Sequence, residues 1–193
     1  MSIESLIHYF NNKIDLTPEE INFVKTNFQA RTIKRRQFIL QEGDICKFNT
    51  FVVEGCLKLY KVDEHGKEHN LQFALEDSWV GDLESFYKET PSQLYIEALE
   101  KSTVLQITQK KQIELYLSYP KFDRIFRVLA ENAMIAYQHR VLQNISSTAE
   151  ERYTAFLKKS PQLLNRISNV QIASYIGVTP EFLSTIRKKI TLA

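Results

Sequence analysis

Hydrophobic residues change their spacing three times along the chain. Residues 3–12 and 17–28 carry them at helical intervals, with Ile21, Val24 and Phe28 recurring on one face. Thr17 suits an N-cap, Pro18 the first helical position, and Glu19 and Glu20 the first turn. From about Ala30 to Thr108 the texture changes. Short apolar runs (Phe38-Ile39-Leu40, Phe51-Val52-Val53, Leu57–Val62, Leu71–Leu75, Val104–Ile107) alternate with turn residues. Strands spaced in this way predict an antiparallel roll, barrel or sandwich. Four glycines, Gly43, Gly55, Gly66 and Gly81, fall at the breaks.

Helical spacing returns at Pro120 and runs to about residue 145. Phe122, Ile125, Phe126, Leu129, Ala133, Ala136 and Tyr137 follow a 3–4 interval, and Val128, Ala130, Met134, Ile135, Val141 and Leu142 add apolar positions on other faces. A helix apolar nearly all round is buried on more than one side. One side is expected to cover the roll. The other is expected to face a second copy of the chain, and the 3–4 set is the candidate dimer surface. Ser147 followed by Glu150 fits a capping box for a further helix over about 148–158, which Pro161 stops.

Residues 169–190 fit a helix-turn-helix. Ile172 and Ile176 lie one turn apart, and the small Ala173 lets a second helix cross closely. Gly177 can take the left-handed conformation that reverses the chain. Val178 is expected inside the turn. Thr179 can cap the second helix, with Pro180 at its first position. Leu183, Ile186 and Ile190 are then expected to pack back, leaving Glu181, Ser184, Thr185 and Lys188 outward. An ordinary helical hairpin is the competing interpretation of the spacing.

Charge favours the helix-turn-helix. The chain of 193 residues has a formal net charge of only +2. From Ser147 onward, however, seven bases stand against three acids, whereas the preceding 146 residues hold 18 bases and 20 acids. An acidic body with a basic end suggests a polyanion-binding module, although Lys188 and Lys189 suit a helix C-terminus in any case. No apolar run approaches the ~20 residues that span a bilayer, and the start of the chain lacks the basic region of a secretory signal, so a cytoplasmic protein is expected. Cys46 and Cys56 are too few for a disulfide framework or a four-cysteine cluster, and are expected to be small buried residues on strands. His65 and His69, beside Glu64 and Glu68, lack further ligands at fixed short spacing. His139 is expected to be a satisfied polar residue on the long helix. No nucleophile elbow, dinucleotide fingerprint or phosphate loop is present. An enzyme is not expected, nor is a metal or cofactor.

In this order of parts the chain resembles the CRP/FNR family of bacterial transcription regulators. The resemblance runs from about residue 17 to 190. It is carried by Ile172-Ala173-Ser174-Tyr175-Ile176-Gly177-Val178-Thr179-Pro180-Glu181 and Arg187-Lys188-Lys189, with Leu40-Gln41-Glu42-Gly43-Asp44, Val53-Glu54-Gly55, Gly66 and Gly81-Asp82-Leu83 in the roll. The stretch Glu150-Glu151-Arg152-Tyr153, with Phe156-Leu157 and Pro161, resembles a subgroup without an established ligand. The resemblance implies an α+β chain with three parts. These are an N-terminal double-stranded β-helix or jelly roll of cyclic-nucleotide-binding type (1–119), a dimerisation helix (120–146), and a C-terminal all-α helix-turn-helix domain (147–193). The sequence departs from the family at Thr191-Leu192-Ala193, where a β-wing usually follows the second helix, so most or all of the wing is expected to be missing.

It further implies a homodimer on an inverted repeat of double-stranded DNA, with half-sites ~34 Å apart, and a small-molecule effector of unidentified chemistry for the roll. By position, Glu181 matches a base-reading acid able to accept from cytosine. Pro180 and Thr185 stand where the family usually has arginine. Thr179, Ser184, Arg187, Lys188 and Lys189 are candidate phosphate or base contacts, and Gln171 a candidate phosphate contact. In the roll, Gly81-Asp82-Leu83 replaces a Gly-Glu-Leu turn. Ser92 and Gln93 align with the Arg-Ser pair that grips phosphate, so the charge-assisted contact is lost and tight binding of cyclic AMP or cyclic GMP is not expected. Two other functions stay open: a small-molecule sensor with a protein-contact output and vestigial DNA binding, and a ligand-binding module using the roll alone.

Overall fold

The computed structural model describes residues 2–191. Leu192 and Ala193, on which the shortened wing was inferred, lie outside the described residues, as does Met1.

Helices α1 (Ser2–Asn11) and α2 (Pro18–Asn27) precede the strands. In α2, Thr17 accepts from Glu20 and Glu20 reaches back to Thr17, so the predicted cap is a full capping box. Eight strands follow among the described residues: β1 (Gln29–Ile33), β2 (Phe38–Leu40), β3 (Phe48–Glu54), β4 (Leu57–Val62), β5 (Glu68–Ala74), β6 (Trp79–Val80), β7 (Tyr95–Ala98) and β8 (Ser102–Thr108). They form two antiparallel sheets, β1-β8-β3-β6 and β2-β7-β4-β5, the interleaved order of a jelly roll. Helix α3 (Leu83–Lys88) interrupts the roll and α4 (Gln109–Ser118) follows it.

Period-two alternation places the cores. Val52 and Val104 point between the sheets, joining Ile33, Leu57, Leu59 and Ile96. Their neighbours Phe51, Leu105 and Ile107 point to the other side, where Leu6, Phe10, Val24 and Leu115 cover them. Both faces of β3 and β8 are therefore apolar, and they read as continuous runs. Gly55, in the β3–β4 turn, has φ +106, and a Cβ there would lie 2.2 Å from Ser102 Oγ. No other residue fits that position. Neither cysteine lies in a strand: Cys46 precedes β3 and Cys56 follows Gly55. Both are buried, and burial pushes the Cys56 thiol up to about 12.

The long helix α5 spans Pro120–Ser146. The first part of its 3–4 set, Phe122 to Leu129, turns inward, whereas Ala133 and Tyr137 are exposed. Phe122 and Ile125 are buried within the chain, and Phe126 and Leu129 pack against the same core. The cause is aromatic: Phe122 and Phe126 join a cluster with Phe10 and Trp79, with the Phe10 and Phe122 rings 5.1 Å apart. About half a turn round the helix, Val128, Met134, Ile135, Val141, Leu142 and Ile145 are turned to solvent.

Helix α6 (Ala149–Lys159) is capped one residue later than predicted, with Thr148 and Glu151 forming the capping box. Pro161 opens a short 3-10 turn. Helices α7 (Asn169–Ile176) and α8 (Pro180–Thr191) complete the described chain.

Candidate nucleic-acid interface and effector cavity

The α7–α8 pair is built as the spacing predicts. Ser168 and Gln171 form a capping box at the start of α7, and Gly177 ends it with φ +74. Thr179 Oγ1 accepts from the Phe182 amide. Ile172, Ala173, Ile176, Leu183 and Ile186 are buried with Tyr153 and Phe156 of α6. Val178 is half-buried beside them, whereas Ile190 stays exposed rather than packing back. Glu181, Ser184, Thr185 and Lys188 are exposed on the outer face of α8. The Ser184 and Thr185 hydroxyls donate to the carbonyls of Pro180 and Glu181, and Pro180 is half-buried at the helix start. Arg187 donates to Asn169, and Lys189 pairs with Glu150 at 2.7 Å. Gln171 is engaged on both sides: its side chain accepts from Ser168 N, and its carbonyl accepts from Asn70 Nδ2. Phe182, unremarked in the sequence, is 51% exposed on the first turn of α8. An apolar side chain there can meet a thymine methyl.

The predicted ligand turn closes on itself. Asp82 Oδ1 accepts from the amides of Glu84 and Ser85, capping α3, and Asp82 Oδ2 accepts from Ser92 Oγ at 2.7 Å. Ser92 is buried and its hydroxyl also accepts from Leu94 N. Gln93 faces outward and accepts from Lys61. Gly81 and Leu83 flank this turn, with Leu83 exposed. Lys58, a buried cation of the roll, is matched by Glu68 at 2.6 Å and Glu97 at 3.1 Å. The structure thus brings Asp82 and Ser92 together, and the buried cation of the roll, Lys58, is already paired. The residues weighed for metal also part: His69 binds Asp63, and Glu68 binds Lys58.

Sequence spacing gave no sign of the contact between the two halves. Ser174 of α7 accepts from Asn70 N at 3.0 Å and donates to Glu68 O at 2.6 Å, both on β5. Arg140 of α5 donates to the carbonyls of Asn70, Leu71 and Tyr175, and its guanidinium lies 4.2 Å from the Tyr175 ring centroid. Arg166 grips both oxygens of Glu76 at 2.8 Å and also donates to Glu100. Cys56 and Leu75 of the roll enter the core of the α6–α8 half. Between roll, α5 and α6 lies a cavity of about 780 Å³. Ala133, Ala136, Tyr137 and His139 line it from α5.

Comparisons with known proteins agree with this architecture. Residues 30–119 match the cyclic nucleotide-binding domain family. Electron transport regulator A of Shewanella oneidensis is 26% identical over 172 residues, covering 82% of this chain and 67% of that protein. The fumarate and nitrate reduction regulatory protein of Vibrio cholerae is 27% identical over 171 residues, with coverages of 82% and 67%. The solved structure of FixK2 from Bradyrhizobium japonicum shares the fold, with a TM-score of 0.75 at 17% identity over 86% of this chain and 85% of that one. A jelly roll of cyclic-nucleotide-binding type, a long connecting helix and a C-terminal helix-turn-helix define a class of transcription regulators. In this order of parts and in sequence the chain is similar to regulators of the CRP/FNR family.

Proposed function

We propose that this chain is a sequence-specific DNA-binding transcription regulator, acting as a homodimer and without cyclic AMP. The observation that carries the reading is the outer face of α8. Leu183 and Ile186 anchor the helix in its domain, while Glu181, Ser184, Thr185 and Lys188 stand exposed together on the other side. Such a helix can enter a major groove, with Glu181 accepting from cytosine and Phe182 meeting thymine. Lys188, Lys189 and Arg187 supply the electrostatic part of binding. The apolar stripe of α5, from Val128 to Ile145, is the surface for the second copy. Independence from cyclic AMP is supported by the closed Asp82–Ser92 pair and by the matching of Lys58 with two carboxylates. No enzymatic role is part of this reading, and no described helix is long and apolar enough to cross a membrane.

The test is selection of bound sequences from a random DNA pool by the purified protein at physiological salt, with and without cyclic AMP. The expected result is an enriched inverted repeat, identical in both arms. In Glu181→Gln, preference at one base pair of each half-site should relax by about 1–3 kcal/mol. Absence of enrichment in both arms would refute DNA reading, and enrichment only with cyclic AMP would refute the independence.

A further inference from the structure

The cavity between the roll, α5 and α6 is large, long and unevenly charged. Phe126 and Arg140 both line it. Fourteen residues of helix separate them, or about 21 Å at 1.5 Å per residue. At the roll end the walls are apolar: Leu59, Trp79, Leu94, Phe126 and Leu129. The polar side chains there bond to one another. Asn49 donates to Gln112, Gln112 donates to Tyr87 and Tyr116, and Gln72 donates to the Trp79 carbonyl. That end therefore offers hydrophobic surface and few unused donors.

The other end is cationic. Arg140, Arg152 and Lys159 line it. Arg140 and Arg152 hold backbone carbonyls, which leave their charges uncompensated. Lys159 has no hydrogen-bond or ion-pair partner among the described residues. The acids that line the cavity, Asp82 and Glu84, lie on and beside α3 at the roll end, and Glu84 is paired with Lys88. Uncompensated charge beside low-dielectric walls attracts an anion. A drug-sized cavity of this kind is filled by a mostly apolar body with a few polar contacts.

We propose that this cavity binds an amphiphilic organic anion, namely an aliphatic carboxylate. Its headgroup meets Arg152 and Lys159 of α6, and its chain runs along α5 toward Trp79. Charge recognition then sits on the DNA-binding half, while the chain is held by the roll and α5. Bound carboxylate ties the two halves together and stabilises their docked arrangement by its differential affinity for it. The inference stands on the cavity alone and does not require DNA binding.

Trp79 is the chain's single tryptophan and lines the cavity, so its fluorescence reports occupancy. The experiment titrates the full chain, without DNA, with decanoate, 1-decanol and decylammonium. Decanoate is expected to give a saturable change, with the alcohol and the amine at least about tenfold weaker, the equivalent of ~1.4 kcal/mol from one charge-assisted contact. Lys159→Gln, at an exposed position, should weaken decanoate by about tenfold and leave decanol unchanged. Ala133→Phe, which adds bulk to the cavity wall, should abolish the response while the melting temperature without ligand shows that the fold is kept. Equal affinity for decanoate and decanol, an unaltered Lys159→Gln titration, or no saturable response by the folded wild-type chain would each overturn the proposal.

Discussion

Glu76 sits near the surface, yet Arg166 holds its carboxylate far below the usual range, down to about 2. The cause is the two-pronged contact of the guanidinium, with the Gly55 amide as a further donor. Because the folded value is depressed, the stabilisation is fully present above the ordinary value of 4.5 and is lost as pH falls toward about 2. Thermal melts of the wild type and Glu76→Gln across pH 8 to 2 check this. Their difference in melting temperature should be constant down to about pH 5 and vanish as the acid is protonated. A difference that persisted at the lowest pH would show that the charge is not what holds the contact. Residue-scale chemistry of this kind was only partly legible beforehand. The loss of a phosphate-gripping arginine at Ser92 is visible in the sequence. That Asp82 turns to that same Ser92 needs coordinates, because the chain between them folds through α3 and the following turn.

At the scale of elements, α5 shows what periodicity can and cannot decide. Its length and its apolar content on two faces are plain in the sequence. Which face meets the roll is not, because Phe122–Leu129 and Val128–Ile145 are both apolar. The aromatic cluster around Trp79 decides it. Two variants separate the roles. Phe122→Ala should cost about 3–5 kcal/mol of stability through the cavity it leaves. Ile135→Asp with Leu142→Asp should leave the melting of the roll nearly unchanged and abolish the proposed dimer in sedimentation equilibrium. A double variant that remained dimeric would place the interface elsewhere. Strands were read where apolar runs are continuous, as in β3, β4 and β8. β1, with Gln29 to Thr32 exposed, and the two-residue β6 carry no such signal. Helices α3 and α4 were missed for the same reason. The α7–α8 pair was legible because a cap, a left-handed glycine and a branched core recur at fixed local offsets.

The whole molecule is held in its docked form by pairs far apart in sequence. Arg166 reaches Glu76 across 90 positions and Ser174 reaches Glu68 across 106. No local pattern announces such pairs. Docking leaves the outer face of α8 exposed but turns the start of α7 toward Asn70, so the position of the helix-turn-helix half relative to the roll rests on these polar bonds together with the packing of Cys56 and Leu75. Any state that moves α8 relative to the roll must give up these bonds and that packing, and under the proposed function such a state could space two copies of α8 for adjacent major grooves.

Ser174 and Arg140 have one more consequence. β5 closes its sheet on one side, pairing only with β4, and its outward amide and carbonyls at Glu68, Asn70 and Leu71 are the groups that these two side chains satisfy. A strand stripped of such cover is a template for another chain's strand. Lifting the helix-turn-helix half away, whether by an effector or by a cut after residue 147, uncovers part of that template. A fragment ending there should scatter more light on standing than the full chain, and Asn70→Pro in the fragment, by removing the free amide, should suppress the growth. Movement between the two halves thus carries a solubility risk, and the docked form also serves as protection against self-association.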